Sequence, residues 1–293
     1  MKTILGLVAA FLVAFATFTG ARAAGGKIAI VAAENFYGDV AQQIGGDEVS
    51  VNSVLSNPDQ DPHLFETAPS VVRKVAAAQV VIYNGADYDP WMERLLEVTP
   101  KPGRVVIVAA DLMHKKAGDN PHLWYDPSTM PMVAKALSAA LSAVDPAHVD
   151  DYATRLKTFL VSLQPMNDKI AEIRGKYAGT AVAATEPVFG YLATALHLTM
   201  LERHFQLAVM NNTEPSAGDF AAFEGDLKTH KIRVLFYNKQ ASDKIVQHLV
   251  ALARAANIPV VGVTETCPSG LSYQNWMLSE LNETETALGG PSS

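Results

Sequence analysis

Short apolar runs alternate with stretches in which apolar residues recur every three or four positions. KIAIVAA (27–33), VSVNSVL (49–55), VVIYNG (80–85) and VVIVAA (105–110) are rich in Val and Ile and read as strands. The first, third and fourth are continuous apolar runs, as expected of strands covered on both faces of a parallel sheet. FYGDVAQQIGG, the segment 69–78 and WMERLLEV, lying between them, have helical spacing. The same order returns between 180 and 288, with strands over 180–185, 232–238 and 259–264. Helices are expected over 187–196, 216–230, 242–256 and 272–288, with Pro187 at a first helical position and Ser216 and Ser242 as N-caps. This alternation predicts an α/β fold of two lobes, each with a parallel-rich sheet.

Between the lobes, Val149, Tyr152, Leu156, Phe159, Leu163, Met166, Ile170, Ile173 and Tyr177 fall in steps of three and four behind Asp145-Pro146. The spacing predicts one long backbone helix over 146–177, roughly 45 Å at 1.5 Å per residue, joining a lobe of 24–145 to one of 178–293. Pro165 lies inside it and is expected to kink it; two helices broken near Gln164 are the alternative.

The N-terminus changes the picture of where such a fold works. Lys2, the apolar run Ile4 to Phe18 and the small-x-small Ala21-Arg22-Ala23 have the form of a cleavable signal peptide over 1–23. The run is about 15 residues against the roughly 20 of a membrane-spanning helix, so export is expected over an uncleaved anchor. The single cysteine, Cys267, offers neither a disulfide framework nor a thiol near the cleavage site for a lipid anchor, which points to a periplasmic location. The fold must rest on its core, for which a 49% apolar composition suffices. A net charge of −7 argues against nucleic acid or an anionic membrane as partner.

Ligands of α/β lobes bind beyond the carboxyl ends of the strands. Four residues capable of metal ligation stand there: His63 in DQDPHLFE, His122 in DNPHLWYDP, Glu186 directly after TAVAAT, and Glu265 directly after PVVGVT. Two come from each lobe, which places the expected site in the inter-lobe cleft. Two imidazoles and two carboxylates form a closed shell for one divalent transition metal, borderline between zinc and manganese or iron. Asp61, Glu66 or Asp126 is expected to hold the second ring nitrogen of a histidine, and Trp124 to wall off the site. The other histidines, among them His114, show no pairing at ligand spacing, and Cys267 is expected to be an inert buried residue.

Taken in order, NFYGDVAQQIGGD, DPHLFE with Pro69-Ser70, NPHLWYDP, the linking helix, EPVFGYLA, EPSAGD and VTET resemble the metal-binding receptors of zinc/manganese ABC importers, the cluster-nine solute-binding proteins. The resemblance covers nearly all of the chain beyond the leader. It implies a monomeric periplasmic receptor that carries a divalent metal ion as cargo, zinc or manganese with iron also fitting, to a membrane permease. It maps the family's ligand histidines onto His63 and His122. The third ligand, histidine in zinc-type and glutamate in manganese-type members, maps onto Glu186, and the fourth, usually aspartate, onto Glu265. Two departures stand out: the fourth ligand is one methylene longer, and the histidine-rich loop of many zinc receptors is absent, 113–120 offering only His114.

Two other readings compete. A metallohydrolase needs an open metal position and a general base, and the chain has no HExxH, GxSxG or P-loop. A chelate receptor would present arginines to an anionic ligand, and arginine is sparse at the strand ends.

Overall fold

The computed structural model describes residues 26–57, 65, 67–211, 213–240 and 244–290. The expected signal peptide, His63 with Asp61 and Glu66, and Ser242 lie outside the described residues. The first lobe runs β1 (Ile28–Glu34), α1 (Asn35–Gly45), β2 (Val49–Leu55), α2 (Pro69–Ala77), β3 (Val80–Tyr83), α3 (Pro90–Val98), β4 (Val105–Val108), α4 (Ala109–Leu112) and α5 (Thr129–Val144). Then come α6 (Val149–Ser162) and α7 (Gln164–Tyr177). The second lobe runs β5 (Ala181–Ala184), α8 (Gly190–Ala195), β6 (Thr199–Leu201), α9 (Arg203–Met210), α10 (Ala217–Lys228), β7 (Leu235–Asn238), α11 (Lys244–Ala255), β8 (Val260–Val263) and α12 (Tyr273–Gly289).

Each lobe holds a four-stranded, wholly parallel sheet, ordered β2-β1-β3-β4 in the first and β6-β5-β7-β8 in the second. The two orders are the same, so β1 corresponds to β5 and β3 to β7. The crevice beyond the carboxyl ends of such a pair, where the order reverses, is where an open parallel sheet receives a ligand. Apolar runs dictate these strands: all four residues of β3 are buried, as are the last three of β5 and of β8. Ser216 caps α10, its hydroxyl accepting the Asp219 N–H at 3.1 Å. Four elements, α4, α5, β6 and α9, were not expected from the spacing, and the strand expected over 105–110 ends at Val108, where α4 begins.

The helix expected as one piece over 146–177 is in two. A short 3-10 turn at Pro146–His148 leads into α6, and the chain breaks at Leu163 (φ −81°, ψ −9°) before α7. Pro165 is the cause. It has no N–H for the carbonyl of Val161, four residues back, and sits instead in the first turn of a new helix, where no such bond is needed. Val161 O accepts the Leu163 N–H instead. The apolar stripe continues through the break, with Phe159, Leu163, Met166, Ile170 and Ile173 all buried.

Each helix of the pair serves one lobe. Packed on α1 and α5, α6 reaches the first lobe, where Arg155 Nη1 donates to Gly45 O at 2.9 Å and pairs with Glu48 at 2.7 Å. On α12 lies α7, with Lys169 and Lys176 both paired to Glu285 of the second lobe, at 2.9 and 2.7 Å. The main core is common to both lobes: Phe36 stacks on Trp124 (4.7 Å) and lies 6.0 Å from Trp276 of α12, while Tyr125 meets Phe189 and Trp276. Two smaller cores cover the outer faces of the sheets.

One buried acid in α12 makes this core pH-sensitive. Glu280 accepts the Trp276 indole N–H at 3.2 Å, and burial pushes its carboxyl up from 4.5 to about 8. The folded chain therefore binds a proton there that the unfolded chain has lost, and stability falls as pH rises from about 4.5 to about 8. Glu280→Gln keeps the shape and the acceptor and removes this loss. Urea midpoints should be nearly equal at pH 4.5, with the variant more stable by roughly 2–4 kcal/mol at pH 8.5. A constant difference between the two pH values would contradict this.

Candidate metal centre

Three of the four residues expected to bind the metal are described, and the strands bring them to one place. Glu186 follows β5, Glu265 follows β8, and His122 lies in the loop beyond β4, just before a 3-10 turn at Leu123–Tyr125. All three are buried. The His122 ring faces the second lobe, with Nε2 3.5 Å from Glu265 Oε2 and no hydrogen-bond partner of its own. A buried ring nitrogen without a hydrogen bond beside a carboxylate has the chemistry to take up a proton or a cation.

Asn238, the last residue of β7, ties the two glutamates together. Its Nδ2 donates to Glu186 Oε2 at 3.0 Å and to Glu265 Oε1 at 2.6 Å. Glu265 is gripped from several sides: Tyr88 OH donates to Oε2 at 3.0 Å, and its own N–H donates to Gln240 Oε1 at 2.5 Å. Burial and the carboxyls of Glu265 and Glu34 push the Tyr88 phenol well up, so it remains a donor. The segment carrying Glu265 is also latched to the first lobe. Tyr125 OH donates to Thr264 O at 2.9 Å, and the Asn35 side chain both donates to Cys267 O (2.7 Å) and accepts from Cys267 N–H (2.9 Å).

The partner of the His122 ring differs from the expectation. Nδ1 lies 2.7 Å from Asn120 Oδ1, not against Asp126, which instead accepts from Ser128 N and Oγ at 2.9 and 2.6 Å. Asn120 is set by the other lobe: its Nδ2 donates to Pro187 O at 2.8 Å and its carbonyl accepts the Tyr191 OH at 2.8 Å. With an amide oxygen on Nδ1, the ring carries its proton there and offers Nε2 as a lone-pair donor. Trp124 walls the site, its ring 5.3 Å from His122 and 4.9 Å from Tyr88. Cys267 is buried, with a thiol pushed up to about 12 by burial, and is no thiolate donor at neutral pH. His114 is exposed.

His122, Glu186 and Glu265 do not converge as tightly as a filled shell. Among the described residues, the only group whose candidate donor atoms all lie within 4.8 Å of one another is Glu48, His148 and Asp151, on the outer surface. That group is already committed, Glu48 to Arg155 and His148 Nδ1 to Asp145. The polar shell of Asn120, Asn238, Gln240, Tyr88, Tyr125 and Asn35 was missed in the sequence. Only Asn238 carried a usable signal, because it ends a strand as Glu186 and Glu265 nearly do.

Two parallel α/β lobes with buried imidazole and carboxylate groups meeting between their strand ends define a two-lobed binding protein. The chain belongs to the ZnuA family, described as zinc-uptake complex component A, periplasmic, whose model matches residues 30–287. This is a family of metal-binding transport proteins. The manganese ABC transporter substrate-binding lipoprotein PsaA of Streptococcus mitis is 23% identical over 97% of each chain. The iron ABC transporter substrate-binding lipoprotein MtsA of Streptococcus pyogenes serotype M1 is 26% identical over 67% of this chain and 68% of its own. Among solved structures, the periplasmic zinc binding protein TroA from Treponema pallidum shares the fold with a TM-score of 0.75 at 18% identity over 90% of this chain and 99% of that one.

Proposed function

We propose that this chain is a periplasmic receptor that captures one divalent transition metal ion and hands it to the permease of an ABC importer, without catalysing a reaction. His63, His122, Glu186 and Glu265 are its ligands, and the ion is cargo. The observation that carries the reading is the buried His122 Nε2, unpartnered and 3.5 Å from a Glu265 carboxylate supplied by the other lobe. Such a pair, with Glu186 drawn in through Asn238, has no purpose as packing, because buried polar groups without partners destabilise a fold. The printed identities of the relatives, manganese for one and iron for another, agree with a mixed nitrogen and oxygen shell. Export through the leader over 1–23 and action as a monomer complete the proposal.

Among the described residues no helix is long and apolar enough to cross a membrane. The test is competitive titration with Zn²⁺, Mn²⁺ and Fe²⁺ under buffered metal, alongside metal analysis of purified protein. One ion per chain with sub-micromolar affinity is expected. Binding of a metal chelate but of no bare ion would overturn the reading in favour of a chelate receptor.

A further inference from the structure

A glutamate stands at the carboxyl end of the corresponding strand in each lobe, and only one of them has been given a role. In the second lobe Glu186 follows β5, Asn238 ends β7, and the asparagine donates to the glutamate at 3.0 Å. In the first lobe Glu34 ends β1 and Asn84 follows β3, in the matching places. There the asparagine turns away. Asn84 Nδ2 donates to the carbonyls of Gly85 (3.0 Å) and Pro121 (2.8 Å), and its Oδ1 accepts the Tyr37 OH at 2.7 Å. Glu34 is left fully buried, its carboxyl bonded to that of Asp89 and, among the described residues, to no other donor.

The titratable groups facing Glu34 are Asp89 at the head of α3, Tyr37 of α1 and Tyr88 of the loop beyond β3, all of them acids. Asp89 is well supplied with donors, its two oxygens accepting the N–H groups of Asn84 (2.6 Å) and Gly85 (2.8 Å). A second anion at Glu34 would have no such support, so of the two carboxyls Asp89 holds the charge and Glu34 the proton. Burial and the Asp89 charge accordingly hold the Glu34 carboxyl well above its ordinary range, while Asp89 is pushed up to about 6. Tyr88, next to Asp89 in the chain, donates to Glu265 Oε2 at 3.0 Å and so links this acid pair to the candidate metal centre.

We propose that Glu34 tunes the metal centre as a proton-holding residue: a neutral acid in the metal-free protein that loses its proton when a divalent cation binds. The inference rests on the receptor reading above. In the step, the O–H bond of the Glu34 carboxyl breaks, the proton passes to solvent water, and the carboxylate left behind adds one negative charge beside the bound ion. Nothing is oxidised or reduced. The bound cation makes the charged form affordable in a site that otherwise excludes it. Affinity then falls with falling pH, and reprotonation of Glu34 favours release of the ion.

The experiment counts protons released on binding Zn²⁺ and Mn²⁺, by calorimetry at pH 7 in buffers of different ionisation enthalpy, for wild type and Glu34→Gln. Wild type should release about one proton more per ion than the variant, and its dissociation constant should improve about tenfold more per pH unit. Infrared difference spectra on wild type alone, needing no variant, should show the C=O stretch of one protonated carboxyl lost on adding Mn²⁺. Glu280, also buried and protonated, cancels in the difference. Normal binding with equal proton counts in both proteins, or an unchanged carboxyl band, overturns this inference alone. A chain that binds neither ion overturns the receptor reading and this inference with it.

Discussion

His122→Ala should raise the dissociation constant for Zn²⁺ or Mn²⁺ by more than about a hundredfold, since loss of a mere supporting partner of a ligand already costs about 10- to 100-fold. The substitution removes a nitrogen donor and leaves the buried Glu265 carboxylate, 3.5 Å away, facing a cavity. It also frees Asn120, whose Oδ1 holds the ring at 2.7 Å while its Nδ2 bonds Pro187 across the lobes. His63→Ala should have a comparable effect. His114→Ala is the control, an exposed residue in a left-handed turn (φ 53°), and should change affinity by no more than about twofold. Equilibrium titration of the three variants measures this, and equal losses for all three would remove the assignment.

Glu186→His should raise the zinc-over-manganese affinity ratio by at least about tenfold, and Glu186→Ala should weaken both ions. Glu186 sits between the end of β5 and Pro187, where an extended backbone (φ −143°, ψ 160°) turns into a 3-10 helix, so its position is stiff. A carboxylate there offers up to two oxygens and suits the higher coordination that manganese accepts, whereas an imidazole offers one nitrogen and draws the site toward tetrahedral zinc. Asn238 keeps its bond to Glu265 at 2.6 Å whichever residue stands at 186, so the rest of the site persists. The readout is the ratio of the two dissociation constants in wild type and variant. An unchanged ratio with an intact circular dichroism spectrum would show that Glu186 is not a ligand.

The sheets were legible because a strand buried on both faces must be apolar throughout, and VVIY and VVGV are. The helix α5 was not, although Met130, Val133, Ala134, Leu137 and Leu141 form its buried stripe. Met132 and Ala139 on its exposed side blur the contrast between faces that helical spacing relies on. With three residues, β6 is too short for any alternation to register. The linking segment was read in the right place, yet its stripe could not reveal the break, because burial continues through Leu163 while the backbone turns. In the site, strand-end position pointed to His122, Glu186 and Glu265, which the fold brings near one another. It could not find Asn120 or Asn35, whose roles come from bonds to residues 67 and 232 positions away along the chain. Glu34 was passed over because it closes an apolar strand and looks, in sequence, like the first residue of the following helix.

The aromatic contacts shared by the lobes bear on how the chain comes to be folded at all. Phe36 and Tyr125 belong to the first half of the chain, but the Trp276 ring they pack against is supplied by the last helix. Tyr273 of the same helix donates to Trp124 O at 2.8 Å, and its N–H donates to Asp39 at 2.8 Å. A nascent first lobe therefore has an unfinished apolar face until the final helix has been synthesised. The two halves of the chain therefore complete one core together, and its last helix closes the apolar face of the first lobe.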